Sequence, residues 1–449
     1  MKVLVGTTNI ADDRVTLAAV RSLGKRGARV LVGSDSFWGQ AFYSRYAEGR
    51  LRYPNPRLDL DLFAETLRDH LEREKPDVLL PTNDYITLAV SQRRELLEPL
   101  APIPIPHRQA IEIAYDKTKT LQLARDLGLR VPTTYEPRST TELDALIQQI
   151  DYPCVVKLRR GGGSVGLRYP GNSSELLRAF SERPVADDIV FAGGEPLIQE
   201  YIDGDIHDVD ALFCHGEPRV LVTQRRVRTF PKTGGRGVYQ ETTDEPDIRE
   251  QAVALLKALR WHGPAEVEFL RQAGSGTPYL MEINGRFWGS LDSAIQVGVD
   301  FPWLTCKLAR DGDVSPVTKY PVGARYRWLI PFGMSAALEE PPWSRDLWRF
   351  WFPPRGTFSD VQLDDPLPLL AEGAHILKRV AKRWSKTVAP RTFSWVSRTR
   401  LSKPNSAQEA LVLLEVHYVT SPATSAWRGV FSSVEVGGRI PTQCPRYAI

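Results

Sequence analysis

Three residues spaced two apart in the stretch TyrLeuMetGluIleAsnGlyArgPheTrpGlySer, residues 279–290, could act on one point: Glu282, Asn284 and Arg286. An extended segment places alternate side chains on one face. A carboxylate, an amide oxygen and a guanidinium therefore leave the end of one strand together. Those groups suit a divalent cation that bridges phosphates, because magnesium takes one or two carboxylates and completes its shell with phosphate oxygens and water. Glu268 offers another carboxylate within GlyProAlaGluValGluPheLeu, residues 263–270. An acid in so apolar a strand is costly to bury unless paired or bound to metal. Facing Glu282 across a hairpin, it doubles the negative charge and calls for a cation between the two.

Other groups could bring phosphates to that point. TyrProCysValValLys, residues 152–157, is a strand ending in Lys157, and ArgArgGlyGlyGlySerValGly follows at 159–166. Glycines let backbone N–H groups approach phosphate oxygens without an intervening side chain, although a glycine run is also the makings of a flexible hairpin turn. It is not a Walker loop, since GxxxxGK[ST] is absent. A helix beginning near Ile111 carries Lys117 and Lys119, which taken alone read as solvated lysines. Residues 197–213 form a strand, an acidic turn and a second strand. GluTyrIle at 200–202 could be a hinge whose backbone reads an adenine edge, or part of an ordinary β-turn-β unit. Farther on, Arg226 and Arg228 share one strand face and Arg225 takes the other, with GlyGlyArgGly at 234–237 after them. These arginines either hold an anionic substrate or decorate a surface strand.

The elements that position these groups begin with LysValLeuVal at 2–5, a helical pattern from Asp12 to Arg26 with Gly27 as its cap, and ArgValLeuValGly directly after. AspValLeuLeuPro at 77–81 is a further strand. Strands alternating with helices predict a parallel, Rossmann-like α/β sheet. Its functional residues should lie beyond the strand ends, at Thr7, Thr8, Asn9 and Thr82, Asn83, Asp84. Gly6 alone is no dinucleotide fingerprint. A helix from about Asp247 to Leu259 precedes the Glu268 strand. A chain of 449 residues predicts about three domains, set at 1–112, 113–311 and 312–449, the last of unassigned fold. The aromatic-rich run at 341–353 suits core packing or an interface. The run from Lys378 to Lys403 carries nine basic residues and no acid, which most often means a solvated or amphipathic segment and less often a membrane-surface contact.

A net charge of +4 is small for this length and gives no nucleic-acid footprint. Cys154, Cys214, Cys306 and Cys444 are scattered without CxxC spacing, as expected of reduced thiols. With no signal-peptide pattern and no run of about 18 apolar residues, a cytoplasmic protein is expected.

In order, the helix lysine, strand lysine, glycine loop, GlnGlu hinge, ValGluPhe strand and GluxAsnxArg turn resemble the ATP-grasp superfamily, the carboxylate-activating ligases that include biotin carboxylase, D-alanine–D-alanine ligase and the synthetase halves of carbamoyl phosphate synthetase. The match runs from about Tyr115 to Asp311, with a pre-ATP-grasp α/β domain before it and a two-lobed ATP-grasp domain within it. The resemblance implies that Lys117 and Lys157 reach ATP phosphates and that Gly161, Gly162, Gly163 and Ser164 lie in the loop over them. It places Glu200, Tyr201 and Ile202 at the adenine, and His207 or Asp208 near the ribose, with Asp205 also open. Glu268, Glu282 and Asn284 match the ligands of magnesium, with manganese as an alternative ion. Arg286 matches the arginine that steadies the acylphosphate transition state, and Arg236 is grouped with it as catalytic. Leu158 departs from the family, where proline often follows the strand lysine. The implied reaction joins a small carboxylate to an amine with release of ADP and phosphate. Carboxylase, thiol-ligase and hydroxyl-ligase variants remain open, as do an ATP-binding regulatory or scaffold role and a homodimer.

Overall fold

The computed structural model describes residues 1–8, 14–37, 39–162, 164–182, 194–230, 235–331 and 351–374, together with 333, 336 and 348. Expectations for Asn9, Gly163, Gly234, Cys444, most of the 341–353 run and all of 378–403 lie outside the described residues.

The chain opens with β1 (Lys2–Gly6), α1 (Arg14–Lys25), β2 (Arg29–Ser34), β3 (Ala47–Arg52), α2 (Leu60–Glu74) and β4 (Val78–Pro81). The four strands form a parallel sheet in the order β3-β2-β1-β4. Val3, Leu4, Val5, Val30, Val32, Leu79 and Leu80 are all buried, the continuous apolar pattern of a sheet covered on both faces. Gly27 follows α1 with φ +77, as a helix cap requires. The expected α/β class is present, and β3 is an addition. That edge strand, AlaGluGlyArgLeuArg, buries only Leu51, so it carries too little apolar signal to be read as a strand.

Next come α3 (Asp84–Gln92), α4 (Arg94–Leu97), α5 (Arg108–Ala114) and α6 (Lys117–Asp126). The single helix expected from Ile111 is two helices. The Asp116 carboxylate accepts from the Lys119 amide and caps α6, ending one helix and starting another. Lys117 thereby becomes the first residue of α6, with its side chain buried.

A small antiparallel sheet follows, ordered β5-β7-β6. Its strands are β5 (Thr134–Tyr135), β6 (Cys154–Lys157) and β7 (Leu197–Glu200), with α7 (Thr140–Leu146) and α8 (Ser173–Ser181) packing Leu143, Leu176 and Phe180 against Val156 and Ile198. The larger sheet contains β8 (Gly204–Cys214), β9 (Glu217–Phe230), β10 (Arg236–Thr243), β11 (Gly263–Gln272) and β12 (Pro278–Asn284), with α9 (Pro246–Ala258) between β10 and β11. After α10 (Leu291–Gln296) and α11 (Phe301–Asp311), β13 (Arg325–Arg327) and β14 (Thr357–Ser359) complete the order β12-β11-β8-β9-β10-β13-β14. Trp348, Trp351 and Phe352 are exposed, Trp348 stacking on Phe352. Cys154, Cys214 and Cys306 are buried free thiols. Among the described residues no helix is long and apolar enough to cross a membrane.

Gly263 joins the larger sheet to the first half of the chain. Its φ is +93, and a Cβ there would lie 2.1 Å from the Pro104 carbonyl oxygen. Gly263→Ala is expected to destabilise the protein by at least about 1–3 kcal/mol through backbone strain alone, read as a lowered urea midpoint. An unchanged midpoint would show that the two segments can separate freely.

Candidate functional site

Register across three strands builds the site. β12 pairs with β11 so that Glu282 opposes Glu268 and Asn284 opposes Glu266, and β11 pairs with β8 so that Glu268 opposes Asp208 and Glu266 opposes Asp210. Directly opposed residues on antiparallel strands share a face. Glu282, Glu268 and Asp208 thus form one acidic row, with Glu266 on the same face two residues from Glu268. Glu268 and Glu282 do face each other across the hairpin.

Cations of the chain meet this row. Arg226 on β9 donates to Asp208 through Nε and Nη2 at 3.0 and 2.9 Å, and Nη2 lies 2.9 Å from Glu268. Asn284 Nδ2 donates to Glu266 at 3.0 Å and to Glu268 at 2.9 Å. Lys117 Nζ lies 3.0 Å from Glu282 and donates to the Gly161 carbonyl at 2.6 Å. Arg286 donates to Asp84 at 2.9 Å and to Asn284 Oδ1 at 3.0 Å. Asp84 also accepts from the Tyr115 hydroxyl at 2.8 Å, so a residue just beyond β4 does reach the constellation. Thr7, Thr8 and Asn83 are hydrogen-bonded to one another beside it.

Burial and charge set the protonation states. Burial pushes the Asp208 carboxyl up to about 6 despite Arg226. Burial, with Asp208 and Glu268 beside it, pushes Glu266 well above the usual carboxylate range. Glu282 goes the other way: burial opposes its charge, but Lys117 and Lys157 outweigh it and hold the carboxyl down to about 2. Burial and the Lys117 charge together bring Lys157 down to about 8. Arg286 stays charged, since Asp84 and Glu266 overcome its burial.

The glycine loop closes over this set. Gly161 has φ +104, and a Cβ on Gly162 would lie 3.8 Å from Arg286 Nη2 and 3.9 Å from Asn284 Oδ1. Ser164 also takes a left-handed backbone, φ +62. The loop base is fixed by Arg159, which donates twice to Asp116 at 2.9 Å each. Glu200 ends β7 and accepts from the Thr133 amide, Tyr201 is exposed with its ring edge-on to Tyr169, and Ile202 is buried. His207 Nδ1 bonds Glu245 at 2.8 Å, Asp208 is occupied by Arg226, and Asp205 is exposed. Arg236 begins β10 opposite Phe230, and β9, β8 and β11 separate its strand from β12.

Glu266, Tyr115 and Glu245 were not singled out by the sequence reading. The signal for Glu266 was available, because alternation puts it on the face of Glu268. The other two come together only through tertiary packing. Oxygen atoms of Asp208, Glu266 and Glu268 lie within 4.8 Å of one another. An all-oxygen donor set with more negative charge than Arg226 cancels fits a hard divalent cation.

Residues 194–330 match the model of a family described as ATP-grasp in the biosynthetic pathway with Ter operon. The chain is similar to pyruvate carboxylase of Bacillus subtilis, 25% identical over 51% of this chain and 20% of that protein. It is also similar to a D-alanine–D-alanine ligase of Stutzerimonas stutzeri, 26% identical over 45% of this chain and 66% of the ligase. Among solved structures, the biotin carboxylase domain of Hydrogenobacter thermophilus 2-oxoglutarate carboxylase, in complex with MgADP and bicarbonate, superposes with a TM-score of 0.57 at 18% identity, covering 72% of this chain and 73% of that one. Residues 194–330 thus match an ATP-grasp family model, within a chain of mixed α/β fold. The chain spans only about a fifth to two thirds of the length of the curated relatives it matches.

Proposed function

We propose that this protein is an ATP-dependent ligase that converts a substrate carboxylate to an acylphosphate and passes the acyl group to an amine, releasing ADP and phosphate. The observation that carries the reading is the convergence of Lys117, Glu282, Glu268, Asn284 and Arg286, drawn from α6, β11, β12 and the turn after β12, beneath Gly161 and Gly162. Lys117 and Lys157 supply positive charge for the phosphates, and the glycine-loop amides complete the cradle. Glu268, Glu282 and Asn284 would hold magnesium, assisted by Glu266. A divalent ion held there would supply charge neutralisation for the phosphates. Arg286, locked between Asp84 and Asn284, meets negative charge developing on the transferred phosphoryl group. Glu200, Tyr201 and Ile202 would receive the adenine, His207 or Asp208 would stand toward the ribose, and Arg236 would draw an anionic substrate. No protein nucleophile is required.

A phosphate-release screen of carboxylic acids, bicarbonate included, paired with amines in the presence of ATP and Mg2+ tests the proposal. Acid-dependent release of phosphate is expected. Release that no acid stimulates would overturn it. Incorporation of bicarbonate carbon into product would replace the amine ligase with a carboxylase, the chemistry of the Bacillus subtilis relative's name.

Lys157 predicts a pH dependence. With its folded pKa near 8 and an unfolded value of about 10.4, the folded state holds fewer protons than the unfolded state between those values. This group's contribution to stability therefore improves as pH rises through that window. ATP binding moves oppositely, because the ammonium is lost: affinity should fall by up to about tenfold between pH 7 and 9. Lys157→Arg should flatten that fall, measured by calorimetric titration. The same slope in the variant would assign the effect to another group.

A further inference from the structure

The β8–β9 hairpin turns at Cys214, His215, Gly216 and Glu217, with φ +48 at His215 and +94 at Gly216. Positive φ at both central residues is what a tight two-residue hairpin of this hand requires. The Gly216 amide donates to the Trp261 carbonyl at 2.7 Å, tying the hairpin tip to the segment between α9 and β11, where His262 follows. The His215 and His262 rings stack with centroids 4.2 Å apart and 20° between planes. Ligand atoms of Cys214, His215 and His262 all lie within 4.8 Å of one another. His262 Nδ1 is buried with no hydrogen-bond partner among the described residues, while Cys214 Sγ lies 3.5 Å from the Gly312 carbonyl and beside the Asp313 carboxylate. An orphaned ring nitrogen in such a place calls for a partner.

We propose that Cys214, His215 and His262 form a binding site for a borderline-soft divalent ion of the zinc class, separate from the phosphate site. One sulfur and two imidazoles are donors that zinc prefers and magnesium does not. Bond lengths of about 2.0–2.3 Å put tetrahedral donors about 3.3–3.7 Å apart, so closing the shell requires the exposed His215 ring to leave its stack on His262 and turn inward by rotation about its side-chain bonds. Water takes the fourth, solvent-facing position. Binding releases the Cys214 thiol proton. Asp313, held by two Arg219 nitrogens, accepts from the thiol while the site is empty, a bond that ends when the proton leaves, with Arg219 retaining the carboxylate. Six residues of extended chain separate Cys214 from Asp208, about 20 Å. The ion would fasten the far end of the two strands that present Asp208 and Arg226.

The test uses the full chain stripped with chelator and titrated with Co2+ in excess Mg2+, which saturates oxygen-donor sites. A thiolate-to-cobalt charge-transfer band should saturate at one ion per chain and be displaced by one equivalent of Zn2+. Cys214→Ser should abolish the band. His215→Ala, at an exposed turn, should weaken binding at least tenfold while the metal-free protein still unfolds cooperatively, and decides the matter should Cys214→Ser fail to fold. Glu282→Gln should leave the band intact, which separates this site from the nucleotide site. The proposal is overturned if stoichiometric Co2+ gives the wild-type protein no such band, if Cys214→Ser retains it, or if His215→Ala binds as tightly as wild type.

Discussion

Arg286→Ala should lower the rate of acid-dependent phosphate release by about 10²–10³-fold, the usual loss when one preorganised donor to a developing oxyanion is removed, while the ATP dissociation constant changes little. The expectation follows from how completely the side chain is held. Its Nε donates to Asp84, one terminal nitrogen donates to Asn284 and the other to the Phe287 carbonyl, so the guanidinium is in place before substrate arrives. Removing it also leaves Asp84 with only the Tyr115 hydroxyl and Glu266 with only Arg226, 3.6 Å away, a loss of up to about 3–5 kcal/mol for a broken buried pair. Arg286→Lys is therefore the companion variant. It keeps a positive charge but not the planar fork, and should remain folded with turnover still reduced at least tenfold. A folded Arg286→Ala protein with full turnover would remove the arginine from the chemistry.

Glu282→Gln should reduce Mg2+-dependent phosphate release below about 1% of wild type. The substitution keeps shape and deletes charge at a carboxyl that Lys117 and Lys157 hold ionised against burial, down to about 2. Two consequences separate its proposed role from simple destabilisation. Loss of the anion leaves Lys117 with less opposing charge, so ATP binding without Mg2+ should be retained or strengthened. Turnover with Mg2+ should be lost, because the row then offers one ionised oxygen ligand fewer. Calorimetry with and without Mg2+, beside the phosphate assay, reads both. Unchanged turnover would sink the metal assignment of Glu282.

The features legible in the sequence are those that depend on local period. Alternation along 279–284 places Glu282 and Asn284 on one face, and the register of β11 on β12 then sets Glu268 opposite Glu282. The parallel sheet shows itself through apolar runs such as LysValLeuVal, and Asp84 could be located from the rule about strand ends alone. The helix break before Lys117 was not read, because the Asp116 cap competes with an otherwise continuous helical pattern. Contacts between segments distant in sequence were not legible at all. Arg226 meeting Asp208 depends on the register of β8 and β9. Asp84 reaches Arg286 across 202 positions, and no periodicity encodes that encounter. The neutralising groups for the acidic row thus come in part from the chain itself, where the sequence suggested only an external cation.

The acyl-phosphate claim is tested most directly by oxygen tracing. The acid that stimulates phosphate release in the screen is labelled with 18O in its carboxylate, and the phosphate released during amide formation is analysed by mass spectrometry. Attack of the carboxylate on the γ-phosphate makes one labelled oxygen the bridge, and the amine then breaks the bond between that oxygen and the acyl carbon. One 18O per phosphate is the predicted result; unlabelled phosphate alongside amide product would contradict it.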